Sequence, residues 1–121
     1  MKVGHVVLYV QDAELCRRFW VEQVGMVERK RQEAAGFVIV QVGFPGQGFA
    51  LELVPREMMK DNPDGLDLAT PSMCFHADDL PATRARMVAA GVQATEVGEH
   101  FGMANFAFSD PEGRWFAVTA G

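Results

Sequence analysis

Three imidazoles and two thiols are the groups of this sequence most readily turned to base, nucleophile or metal-donor chemistry near neutral pH: His5, His76 and His100, and Cys16 and Cys74. The histidines stand in three different settings. His5 lies in the extended stretch VGHVVLYV, His76 near the end of SMCFHA, and His100 in the glycine-flanked GEHFG. The cysteines have no CxxC spacing, one falling in an expected helix and one in an expected strand, and both read as reduced, buried, small apolar residues. The eleven Lys and Arg form only one short cluster, Arg29-Lys30-Arg31, and the formal charge is −5. No basic stripe exists to neutralise a phosphate backbone, so no nucleic-acid partner is expected.

These groups must be held by a chain of 121 residues, 49% hydrophobic and 22% charged, the composition of a globular domain that folds on its own core. The apolar run 6–10 is followed at once by Asp12, Glu14, Arg17 and Arg18, too early for a signal peptide or membrane span. A cytoplasmic location and no membrane partner are expected. Residues 3–10 predict a strand, Asp12 offers an N-cap, and the apolar stripes of Leu15, Phe19 and Gln23 with Cys16, Trp20 and Val24 predict a helix over 12–24, closed by Gly25. VERKRQ, GFVIVQVG and FALELVP follow as three strands. Residues 55–71 hold three prolines and no period, and read as a loop. SMCFHA then opens a second unit, Asp79 and Pro81 start a helix that Gly91 ends, and VQATEV, ANFAFS and WFAVTA follow, the last after the turn Asp110-Pro111-Glu112-Gly113.

Asp12 and Asp79 lie 67 residues apart and Gly25 and Gly91 lie 66 apart, which reads as an internal duplication. One βαβββ unit leaves a sheet face uncovered, so two are needed. The expected fold class is α+β, a single domain over 1–121 with module 1 about 1–55, a linker about 56–70 and module 2 about 71–121.

The opening pattern of His5, Val10 and Asp12, the Phe19-Trp20 pair before Gly25-Met26, and the closing Asp110-Pro111-Glu112-Gly113 resemble the glyoxalase/bleomycin-resistance/dioxygenase (vicinal oxygen chelate) superfamily, over nearly the whole chain. The resemblance implies curved mixed sheets enclosing a cavity, often completed by a homodimer. It does not fix a reaction. In metal-using relatives similar to glyoxalase I, four ligand places fall here at His5, Glu52, Ser72 and Ala117. His5 and Glu52 carry donors, Ser72 replaces the usual His or Gln, and Ala117 has no donor atom, so the usual site cannot form. The expectation is therefore no cofactor, with a divalent metal (Zn, Ni, Co, Mn or Fe) on His5 and Glu52 as the lesser alternative.

From these anchor positions, strand alternation puts His5, Val7 and Tyr9 on one cavity face with Ala50, Glu52 and Val54, and Ser72, Cys74 and His76 on another with Trp115, Ala117 and Thr119. That lining is mostly apolar with a few polar groups, suited to a small organic ligand. His76 is about 13 Å along an extended strand from Ser72, too far to replace it. Phe19, Trp20, Phe37, Phe106 and Phe108 read as core, Trp115 as an apolar filler beside Ala117, and Met58-Met59 as an adaptable lid or dimer contact. Three functions are in competition: sequestration of a flat or aromatic compound, a metal-dependent lyase or isomerase related to glyoxalase I, and metal-free acid–base catalysis by His5 with Glu52. A dioxygenase is less expected, since it needs ligands at Ser72 and Ala117.

Overall fold

A computed structural model describes residues 1–120; Gly121, the last residue of the expected second module, lies outside them. Contacts divide the chain into two units, Met1–Pro71 and Ser72–Gly121. In the first, β1 (Val6–Val10) leads through α1 (Ala13–Arg18) to β2 (Val27–Ala34), β3 (Phe37–Gly43) and β4 (Leu51–Pro55). The sheet order is β1-β4-β3-β2, with β1 parallel to β4 and the other pairs antiparallel. The βαβββ reading of this half holds.

Asp12 caps α1 as expected, its carboxylate accepting from Leu15 N at 3.0 Å. The expected α-helix over 12–24 is α-helical only to Arg18, however, and Phe19–Val24 is a π-helical segment. Gly25, at φ 106°, donates its N–H to Trp20 O, a five-residue step. Such steps bring Phe19 and Val24, five apart and both buried, round to one side, which an α-helix would not do. α1 packs on β3 and β4, covering Leu8, Val10, Val40, Val42, Leu51 and Leu53, with Cys16 and Trp20 fully buried from the helical side. Edge strand β2 is the exception to burial: seven of its eight residues are exposed.

The second unit repeats the pattern with β5 (Cys74–Ala77), α2 (Leu80–Ala89), β6 (Gln93–Ala94), β7 (Gly98–His100), β8 (Met103–Ser109) and β9 (Trp115–Ala120). Its order is β5-β9-β8-β6, with β7 also on β8 and β5 parallel to β9. Of the expected strand VQATEV only Gln93–Ala94 is extended in the sheet, and a second short strand follows it at Gly98–His100. Between Ala94 and Gly98 four steps face only three between Phe108 and Asn105, so one extra residue breaks the ladder. The Thr95 hydroxyl fills the gap by accepting from Ala107 N at 2.9 Å. A register shift also falls between Glu28 and Lys30 of β2, the matching strand of the first unit. Asp79 caps α2 onto Ala82 N at 3.0 Å, and Leu80 and Met87 are its buried contacts. The core of this unit is aromatic, with Phe108 lying 5.7 Å from both Phe75 and Phe116.

The closing turn is a staple. Asp110 is 4% exposed; its Oδ1 accepts from Glu112 N and Arg114 N, and its Oδ2 pairs with Arg114 Nη1 at 2.9 Å. Arg114 also reaches Glu112. Burial works against the Arg114 charge, but its hydrogen bonds to Asp110 and Glu112 outweigh that and hold its pKa above the ordinary value.

Candidate functional site

Parallel pairing of β1 with β4 sets Val7 beside Glu52 and Tyr9 beside Val54. His5 stands one residue before β1, where Val6 N bonds Ala50 O at 3.0 Å, and its Nε2 lies 3.5 Å from Glu52 Oε1. The two residues expected to meet therefore do. Gln41 of β3 is the direct cross-strand partner of Glu52 and donates from Nε2 to Glu52 Oε2 at 2.7 Å. One carboxylate oxygen thus accepts from an amide, and the other lies 3.5 Å from an imidazole. The Glu52 side chain is 18% exposed and that of His5 36%, so on the sheet face away from α1 Glu52 and Gln41 are half-buried and His5 is exposed. Val7 and Tyr9 are half-buried on the same face, while Val54 and Ala50 are buried.

Gln41 was not among the residues expected from the sequence. Its signal was present, a lone amide in the apolar run FVIVQVG, but only the β3–β4 register says that it faces Glu52.

In the second unit, register puts Cys74 beside Ala117 and His76 beside Thr119, with Trp115 two residues before Ala117 on the same face. The opposite side carries Phe75, Phe116 and Val118. Ser72 precedes β5 and is exposed. The expectation that both cysteines are buried fails for one. Cys16 is buried, but Cys74 is exposed on the face that α2 leaves open, its Sγ 3.6 Å from Thr119 Oγ1. His76 is exposed too, Trp115 is 48% exposed and Ala117 half-buried. His100 is exposed in β7, next to a hairpin turn made by Phe101 and Gly102, both at positive φ.

A metal is implied by the expected ligand places, and the residues present do not fit one. His5 and Glu52 are two donors, Glu52 already accepts from Gln41, and Ala117 offers no donor atom. Among the described residues no three His, Cys, Asp or Glu are grouped to hold an ion.

Two βαβββ units, each with one sheet face under its helix and one left open, define a glyoxalase-like α+β protein. The chain belongs to the Glyoxalase/Bleomycin resistance protein/Dioxygenase superfamily, whose sequence profile matches residues 2–118. It is 26% identical over 119 residues to the uncharacterized protein YetH of Bacillus subtilis (strain 168), covering 97% of this chain and 96% of that one. Its fold is similar to that of TnmS3, an antibiotic binding protein from Streptomyces sp. CB03234, with TM-score 0.80, 23% identity and coverage of 99% and 95%. It is also similar to a superfamily member from Sphaerobacter thermophilus DSM 20745, with TM-score 0.83, 20% identity and coverage of 100% and 98%. No helix among the described residues is long and apolar enough to cross a membrane.

Proposed function

We propose that this chain binds a small organic molecule on the open face of its first sheet, without the metal centre of its catalytic relatives. His5, Glu52 and Gln41 give that face a polar row, and Val7 and Tyr9 an apolar strip beside it. One observation carries the reading: Glu52, the residue best suited to hold a cation, instead accepts from Gln41 at 2.7 Å and faces His5 at 3.5 Å. The row is thereby ordered to meet a hydroxyl or carbonyl. The description of TnmS3 as antibiotic-binding supports the same direction. A homodimer and a cytoplasmic location are part of this proposal, the first because open sheet faces and edges are what symmetric pairing covers. Light scattering at micromolar concentration should give twice the chain mass; a monomer there removes the dimer.

The test of binding pairs metal analysis with a defined probe. The purified protein should carry much less than one divalent ion per chain. A titration with 2-naphthol should shift the backbone amides of residues 5–9, 41 and 52, and the His5→Ala/Gln41→Ala double variant should weaken it about tenfold. One tightly held ion per chain, lost in His5→Ala, would replace this reading with a metal-dependent lyase or isomerase. The 3.5 Å contact of His5 with Glu52 favours one second reading, metal-free proton transfer by the imidazole, with Glu52 orienting it. That reading requires His5-dependent exchange of the α-protons of a carbonyl compound into deuterated water.

A further inference from the structure

A second concave site lies at the other end of the same parallel strand pair. Val10 and Pro55 are the last register partners of β1 and β4, and the residues that follow them, Gln11 and Arg56, open a groove of about 630 Å³. A one-turn 3-10 helix after β4 (Arg56–Met59), where the sequence reads as loop, and the loop that follows it complete it with Glu57, Met59, Lys60 and Leu68. None of these residues belongs to the His5, Glu52 and Gln41 row.

The loop is stapled in place. Arg56 Nη2 donates to Leu68 O at 2.9 Å, and the Asn62 side chain bonds Leu66 in both directions, donating to its O at 2.8 Å and accepting from its N at 3.0 Å. Two crosslinks across a turn shape the groove before any ligand arrives, which reduces the ordering cost of binding. Its volume lies within the usual range of small-molecule sites.

The chemistry of the lining selects the ligand. In a chain of formal charge −5, this groove has two cations, Arg56 and Lys60, to one carboxylate, Glu57. The loop's three aspartates, Asp61, Asp64 and Asp67, are exposed and do not line it. Among the described residues the Lys60 ammonium has no ion-pair partner, and Arg56 commits one N–H to Leu68 O. Met59 and Leu68, both half-buried, supply apolar contact. The geometry points to a binding site for a small amphipathic carboxylate, its acid group between Lys60 and Arg56 and its hydrocarbon body on Met59 and Leu68.

Hexanoate and the neutral hexan-1-ol separate charge from apolar contact. On the full chain, hexanoate should give saturable amide shifts in residues 56–68, weakened by added salt, and Lys60→Gln should weaken it about five- to tenfold. Lys60 is exposed, so that variant keeps the fold, which unchanged amide positions elsewhere will verify. Arg56→Gln, which retains a donor for Leu68 O, should act in the same direction. Equal binding of hexan-1-ol and hexanoate, or of the parent and Lys60→Gln, overturns the proposal. Shifts confined to residues 5–9, 41 and 52 also overturn it, while leaving the proposed function of the sheet face standing.

Discussion

Glu52 and Asp110 show how differently two acidic side chains can be used. Glu52 faces its partners from a half-buried sheet position, whereas Asp110 is shut inside a turn where every bond returns to the same five-residue segment. Replacing Asp110 with Ala removes three acceptor contacts and leaves the Arg114 guanidinium, 13% exposed, without its main counter-charge. A loss of about 2–4 kcal/mol in urea denaturation is expected, with ligand binding on the first sheet unchanged. The sequence marked Asp110-Pro111-Glu112-Gly113 as a turn. It did not mark the aspartate as the group that holds the turn together, because an acceptor for backbone N–H groups two and four residues on is visible only once the chain has closed. Cys74 was misread for a related reason. Its type favours burial, but its place on the face that α2 does not cover decided the outcome.

At the scale of elements, caps and parity were legible and irregularities were not. Asp12 and Asp79 cap both helices, Gly25 closes the π-helical segment and Gly91 follows α2 as their types require, and alternation from His5 and Glu52 predicted which residues share a face. The π-helical turn and the break between β6 and β7 escaped because each depends on packing or cross-strand partners rather than on a local period. A close approach in β3 gives a test. A Cβ on Gly43 would lie 2.7 Å from both the Arg29 guanidinium carbon and Phe49 O. Arg29 there donates to the carbonyls of Phe44 and Gln47, tying the β3–β4 turn to β2. Gly43→Ala must displace the Phe49 backbone as well as Arg29, and should cost about 1–3 kcal/mol, read as a lowered Tm. The tie between α1 and β2 responds to pH instead. Glu14 is held below the usual carboxylate range, first by the Arg31 guanidinium 2.6 Å from its Oε1 and then by Arg17, against a partial desolvation. A depressed carboxylate stabilises above its unfolded pKa and loses that contribution as pH falls through its folded one. Glu14→Gln should therefore be slightly less stable than the parent at neutral pH and equal to it in acid, measured by denaturation across pH.

For the molecule as a whole, the duplicated order of strands was readable from two capped helices at a fixed offset, and the matching register breaks in β2 and between β6 and β7 extend the repeat to detail. The residues at the polar row were only half readable, since Gln41 reaches Glu52 through sheet order alone. One consequence of this plan concerns colloidal behaviour rather than binding. β2 is an edge strand with seven exposed residues, and after Val27 what stands on it is Glu28, Arg29, Lys30, Arg31, Gln32 and Glu33. A free edge of main-chain donors and acceptors is a template for another chain's strand, and dense charge on that edge keeps incoming strands in water. Lys30 and Gln32 pair with Gln41 and Ile39, on the face opposite Arg31, so exchanging both for Val would leave the ties of Arg31 in place while giving the edge an apolar stripe. Such a variant should melt at a similar temperature yet form thioflavin-positive fibrils on storage at concentrations where the parent stays clear. The shelf life of this protein would then rest on the same strand whose Lys30 pairs with Gln41 of the polar row.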